Sequence, residues 1–496
     1  MSRHRTIAFI VLAAASFGVA GGARAQQAPP GTFDAIRNLC LALAFGQQPS
    51  GPREEPPLVL TGEQRDLFRR CSEIVGSGGR DPDSLVAVAR EELAAIGSAL
   101  TESAAGQLQN VQSRVLALHR GARGLSVAGL TLDLPGPTST GVLLAAAGDD
   151  LGPYLSYDAQ EGGGGGGADD PFGERWGLFV TGHYTTGDHD ATTLEPGYDF
   201  DGHDVTLGID RRVGRGFFGL AGGFRSAQSD LHASDLTPAA GEGELDVDGT
   251  SLSLYAGTGW GDAWLLDGTV SLTRDDFESS TPVRYDIAGH PVSQIALAET
   301  EGEELVASVG IGYDRPSGGF SFQPALRLTY TDAQIDGYTE EFVTGPGSAI
   351  DPVTGQPFGH GMELSVDEQS IESLISTLGA TLAWNVGTGW GVLIPQLRAH
   401  WNHEFEDDAR AIVTRFAATP SNIAELLPLV PSGPTDPTAV NLTVFTNQPD
   451  RDYFDVGAGL QAVLAGGTQL FVLVETVVGL ENVSSFGGTA GVRFAF

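Results

Sequence analysis

The densest group of chemistry-bearing side chains in this 496-residue chain is His400, His403, Glu404, Glu406, Asp407 and Asp408. Imidazoles and carboxylates at such close spacing are the donor set of a divalent-metal site. Their local pattern works against that reading. The stretch around them alternates as a strand, and residues three apart on a strand point to opposite faces, so His400 and His403 cannot chelate one ion. Asp188-His189-Asp190 reads as a solvated loop tip. Gly162 to Gly167 lacks both the following Lys-Ser/Thr and the preceding strand of a phosphate cradle. A Gly-x-Ser-x-Gly elbow and a Gly-Asp-Ser-Leu run are both missing. The expectation is therefore no catalytic residue, no cofactor, no metal and no enzyme activity.

Cys40 and Cys71 are the only cysteines. One falls in each of the first two predicted helices, and in an oxidising compartment an even count favours a single disulfide. A bridge of this span is worth roughly 3–4 kcal/mol by the loop-entropy relation. A metal pair is the weaker alternative, because no ligand histidines stand nearby.

The elements that must carry these residues differ along the chain. Residues 1–25 read as a secretory signal: Arg3, His4 and Arg5, an apolar Ile7 to Val19, and Ala23-Arg24-Ala25 before Gln26. Residues 26–123 read as a small α-helical region. Phe33 to Phe45 is apolar on one face, Thr61-Gly-Glu-Gln64 resembles a capping box, and a long pattern runs from Leu85 to His119. Arg114, His119, Arg120 and Arg123 gather at its end, where cations suit the helix dipole. Residues 124–172 read as a flexible Gly/Pro/Asp-rich linker.

From residue 173 to 496 the texture is that of strands. The final stretch places Phe486, Gly488, Ala490, Val492, Phe494 and Phe496 on one face, with Gly487, Thr489, Gly491, Arg493 and Ala495 on the other. Eleven further segments alternate similarly, for example Leu252/Leu254/Ala256 and Leu393/Leu397/Ala399/Trp401. Short turns at 212–215, 260–262, 314–319, 385–389 and 465–467 separate long polar loops near 185–200, 226–248, 274–303, 331–370, 404–452 and 478–485. A 12-stranded antiparallel transmembrane β-barrel sorts its connections in this way, and a Greek-key sandwich does not. Lipid is expected outside and a wet lumen inside. There Arg327, Arg398, Asp455 and Arg493 should lie, the arginines fixing whatever segment fills the pore.

The formal net charge is −36 and no lysine occurs, so nucleic acid is excluded as a partner. The 331–370 loop alone carries eight acids and no lysine or arginine. It is expected to stay hydrated, with divalent cations between such loops and an anionic outer leaflet.

The carboxy-terminal third resembles a known family. Leu397-Arg-Ala-His-Trp-Asn-His-Glu-Phe405, Val413-Thr-Arg-Phe416, Tyr453-Phe-Asp-Val-Gly-Ala-Gly-Leu460, Gly467-Thr-Gln-Leu-Phe471 and Gly491-Val-Arg-Phe-Ala-Phe496 look like the autotransporter β-barrel domain. The resemblance implies an outer-membrane barrel with a segment threading its pore and a passenger carried to the surface. It implies Sec export, and barrel-insertion machinery that reads Phe494 and Phe496. The passenger is atypically short, and no Asn-Asn pair is seen for self-cleavage. Two readings follow: a translocator or anchor that holds its own N-terminal segment in the lumen, or a pore or adhesion protein whose helical region stays periplasmic or plugs the barrel.

Overall fold

The computed structural model describes residues 31–48, 57–79, 85, 87, 92–119, 124–128, 146–147, 176–232, 243–261, 263–287, 289–314, 319–464 and 469–494. The signal at 1–25, most of the 124–172 stretch, Arg120, Arg123, Phe496 and the side chains of Arg493 and Phe494 lie outside them.

Twelve antiparallel strands form a closed wall. They are β1 (Trp176–His189), β2 (Tyr198–Val213), β3 (Gly216–Leu231), β4 (Gly243–Trp260), β5 (Trp264–Ile287) and β6 (His290–Tyr313). The round continues with β7 (Phe320–Ile335), β8 (Gln369–Trp384), β9 (Gly391–Glu404), β10 (Asp452–Leu464), β11 (Gln469–Val478) and β12 (Val483–Phe494). Pairing of β12 with β1 shuts the ring. The alternation decides the faces. On β4, Leu252 and Leu254 point outward and are more than half exposed, while Ser253 and Tyr255 point inward and are buried. Apolar residues face outward all round the wall, including Leu207, Val270, Val309, Leu378, Leu460 and Val472. That inverts the pattern of a soluble protein and fits a lipid-facing band. Rings gather at its short-turn rim: Trp264 lies 5.1 Å from Tyr313, and Phe320 lies 5.7 Å from Trp384. Such a girdle marks a membrane interface. Gly214 and Gly261 take positive φ (60° and 65°) in two of the tight turns at that rim.

Three expectations are corrected. The stretch 274–303 is not a loop: β5 and β6 run on as 24-residue strands whose last pair is Ile287 with His290. Beyond the lipid band the outward positions are acids, Asp276, Glu278, Glu299 and Glu301, so the hydrophobic half of the alternation disappears from one face. Residues 124–128 do not belong to a linker either; they pair as a parallel strand with Gly177 to Thr181 of β1. Nor are the long loops simply hydrated. Tyr338–Thr339, Leu364–Val366, Ala411–Phe416 and Leu442–Phe445 form a separate four-stranded sheet at the long-loop end.

Helix α1 (Thr32–Gly46) buries Ile36, Leu39 and Leu43, one side of three turns. Helix α2 (Gly62–Ser77) opens on the capping box: Gln64 N–H donates to Thr61 Oγ1 at 3.3 Å, and Thr61 N–H donates to Gln64 Oε1 at 3.0 Å. Cys40 and Cys71 are joined across the pair, with Cα atoms 5.8 Å apart. The two helices do not stand alone. Their buried faces share one core with Leu245, Phe277, Tyr285 and Val292 of the strand extensions and with Phe358, Met362, Leu427 and Val444 of the loops. Helix α3 (Glu92–His119) starts in that core through Leu93 and Ile96 and runs down the inside of the barrel.

Candidate functional site

The lumen is where the polar chemistry is concentrated. One side of α3 is apolar, and Val111, Val115 and Leu118 pack on Phe179, Phe217, Ala221 and Tyr255 of the inner wall. Beside it runs a buried polar row, Gln107, Asn110 and Arg114, at helical spacing. Gln107 accepts from Thr206 Oγ1 at 2.6 Å and Asn110 donates to the same oxygen at 3.1 Å. Gln107 also donates to Ser253 Oγ at 3.3 Å. Arg114 forks onto Asp210 of β2. At the short-turn end Arg212 donates to the Leu118 carbonyl, and His119 stands edge-on to Phe217 with Nε2 3.8 Å from Asp267.

Glycines admit the helix. A Cβ at Gly223 would lie 2.3 Å from Gln107 Oε1, and one at Gly177 would lie 2.3 Å from Arg114 Nη2. Gly106 of α3 itself sits on Asp204, where a Cβ would be 1.9 Å from Oδ2. Paired with Asp204 in register is a buried charge group on the wall: Arg225 Nε donates to Asp275 at 2.7 Å, and its Nη2 lies 3.3 Å from Glu304.

The arginines expected to hold the filling segment do something else. Arg327 donates to Ser308 of the adjacent β6 at 2.9 Å and, reaching past Gly310, to Asp267 of β5 at 2.6 Å, and Arg398 pairs with Glu475 of β11. Asp455 accepts from Asn402 at 2.7 Å. These are ties within the wall. The helix instead brings its own cation, Arg114, to a wall carboxylate. The His400 group is dispersed: His400 faces inward, while His403 faces outward and bonds Asp452 at 2.8 Å. Glu404 is buried and accepts the Leu374 N–H at 2.8 Å, and Asp407 pairs with Arg451. His189 is no loop tip but is stacked on Tyr198 at 4.8 Å and buried.

A second cluster fastens the helical pair to the loops. Arg69 and Arg70 of α2 both pair with Asp351, which is fully buried in the 336–368 loop. Asp66 accepts the Gly361 N–H at 3.0 Å, and Glu73 meets His290 at 2.8 Å. The Arg70 guanidinium lies 4.6 Å over the Phe358 ring. On α1, Asn38 donates to the Ala439 carbonyl at 3.0 Å. Burial pushes the Asp66 carboxyl above its ordinary value despite the Gly361 N–H and Arg70. Burial also raises Glu73 against the pull of Arg70 and His290. Asp351 goes the other way: burial opposes ionisation, but the Val353 N–H and Arg69 together outweigh it.

Sequence reasoning missed Gln107, Asn110, Asp210 and Asp351. The available signal was a helix with a polar row flanking its apolar row, a pattern that suits a polar cavity better than a hydrocarbon core.

The family model described as the autotransporter beta-domain matches residues 178–425, half of the chain. Among solved structures the chain is similar to the translocator domain of autotransporter NalP from Neisseria meningitidis, at 14% identity and TM-score 0.45, covering 66% of this chain and 90% of that one. It is also similar to the β-domain of the Bordetella autotransporter BrkA, at 16% identity and TM-score 0.40, covering 65% and 100%. A third is the transport unit of AIDA-I from Escherichia coli, at 13% identity and TM-score 0.39, covering 66% and 93%. A search of the curated proteins finds no match. The matched stretch begins in β1 and takes in nine of the twelve strands of a lipid-banded, polar-lined cylinder, and the chain belongs to the autotransporter β-domain family, as a translocator barrel of the outer membrane.

Proposed function

We propose that this translocator keeps the segment it carries: α3 stays in the lumen, and α1 and α2 stay on the cell surface, docked on the extracellular loops. The direction of α3 carries this reading. Its first turns share a core with the long loops, and its last residue lies beside Asp267 and Phe217 near the short turns. The described helices before Glu92, α1 and α2, are therefore on the long-loop side, which in an outer-membrane barrel is the outside. Strand β1 in turn begins, at Trp176, on the short-turn side. The role is mechanical and not catalytic: the buried guanidiniums and carboxylates fasten one part of the chain to another.

Protease shaving of intact cells tests it. Cleavage between α1 and α2, with β1 to β12 intact, is the expected result. Full protection of that region would place it in the periplasm and favour the pore reading.

Export by Sec and folding by the barrel-insertion machinery complete the proposal. So do divalent cations at the outer leaflet. Asp248, Asp276 and Glu301 stand side by side on three outward-facing strands, and anionic headgroups would be repelled without a bridging ion. Chelation with EDTA should lower the unfolding temperature of the protein in bilayers rich in anionic lipid and not in neutral ones, and an unchanged melting curve in the anionic bilayers would discard the bridge.

A further inference from the structure

We propose that the permeability barrier of this barrel is the extracellular cap, with α3 acting as its tether and not as the seal. This rests on the surface placement argued above and adds a gate to it.

Helix α3 occupies only one side of the lumen. Its contacts fall on β1 to β5, where inward residues such as Phe179, Thr206, Ser253 and Thr269 are buried. Across the lumen the inward residues of β7 to β10 retain water-accessible surface. Gln323, Arg327 and Thr329 on β7, Thr377 and Thr381 on β8, and Arg398 and His400 on β9 are all partly exposed. The Arg327 and Arg398 side chains keep 19% and 26% of their area. A single helix is only about 10–12 Å across with its side chains. Set against one wall of a twelve-strand ring, it leaves the polar inner face of the other wall without a covering element among the described residues.

Toward the outside the inward faces of β7 to β9 close over: Ala333, Ile335, Ile371, Asn402 and Glu404 are buried. Above them lie α1, α2 and the folded loops, joined in a continuous apolar core. The fastening of this lid is the ion cluster of Arg69, Arg70, Asp66, Glu73, Asp351 and His290, whose ion pairs among the described residues include none to α3. The grip on α3, through Thr206, Asp210 and Ser253, is a separate set of contacts. Lid and tether can therefore be loosened one at a time. With the lid raised, small hydrated ions are the species a path along that polar inner face would admit.

The test is single-channel recording on the full-length, detergent-folded protein in planar bilayers containing potassium chloride. Two lid variants act by different means. R69A/R70A removes the charged fastening. Gly361→Val wedges the loop off α2, since a Cβ at that glycine would lie 2.2 Å from the Glu63 carbonyl oxygen and 2.8 Å from Leu67 N. The tether variant is Gly223→Leu, which drives into Gln107. Retention of the heat-modifiable folded band shows that the barrel is intact, and faster proteolysis between α1 and α2 shows that the lid has moved. A quiet wild type, loss of the closed baseline in both lid variants and a quiet tether variant support the proposal. A closed baseline in a lid variant whose cap has become protease-sensitive overturns it, as does a tether variant that alone opens the pore. If shaving instead shows α1 and α2 to be periplasmic, surface placement itself fails; if they are on the surface and raising the lid leaves conductance silent, only the gate is lost.

Discussion

Arg114 on the lumenal helix and Asp210 on β2 meet as a two-pronged pair, Nε 2.6 Å from Oδ2 and Nη2 3.0 Å from Oδ1. Both are buried, and Tyr255 Oη donates to the same carboxylate at 3.1 Å. Removing one partner leaves the other charged and dry, which costs roughly 3–5 kcal/mol. Arg114→Ala should therefore lower the midpoint of urea unfolding, read by the gel-mobility shift of the folded barrel. The double change Arg114→Ala with Asp210→Ala should recover part of the loss. A single variant as stable as wild type would show that the pair does not hold the helix.

Arg398 offers the contrasting case. Its partner is Glu475 on β11, so Arg398→Ala should weaken the wall by roughly 1.5–3 kcal/mol and leave the helix in place. Unfolding in denaturant checks the first part. For the second, a cross-linker placed between α3 and β4 should react as it does in wild type.

Loss of the bridge between Cys40 and Cys71 should act only on the cap. Serine at both positions should cost the helical pair about 2–4 kcal/mol. Limited proteolysis should then cut between α1 and α2 at a faster rate, while the melting temperature of the barrel stays at the wild-type value.

Docking of the cap should depend on pH in two stages. Asp66 and Glu73 have carboxyls raised in the folded state, so the docked cap binds more protons than the released one, and acidification from neutrality strengthens docking. Asp351 is lowered, so its contribution is present above the ordinary carboxylate value of about 4 and is lost as pH falls through its own lower value. Arg69, Arg70, His290 and His360 are the other charged or titratable groups in the cluster. Protease resistance of the purified protein should rise from pH 7 to pH 5 and collapse in stronger acid. Asp351→Asn should abolish the collapse.

The barrel was legible because its wall repeats one simple rule. Outward residues such as Leu252 and Leu254 must suit lipid, and inward ones such as Ser253 must suit a polar lumen, so each strand announces itself. The capping box at Thr61 and the cysteine pair were equally local. The rest was not local. Arg69 and Asp351 are 282 residues apart, and an ion pair at that distance leaves no periodic trace. The β5–β6 extension escaped because Asp276, Glu278, Glu299 and Glu301 replaced the apolar half of its alternation. The lumenal face of α3 escaped because Gln107, Asn110 and Arg114 are polar residues turned inward, against the usual rule for a helix.

The ring is not equally strong all the way round. Strand β1 shares fourteen residue pairs with β2 but only six with β12, all toward its extracellular half. Below Tyr184 the flank of β1 is matched instead by Gly124 to Ala128, a stretch that belongs to neither neighbouring stave. A cylinder resists radial stretching no better than its weakest join, so this lower gap is where the hoop yields first. Amides that turn over fastest with deuterated solvent should cluster there, on Gly177 to Thr181, and any lateral parting of the sheet would begin from the periplasmic rim.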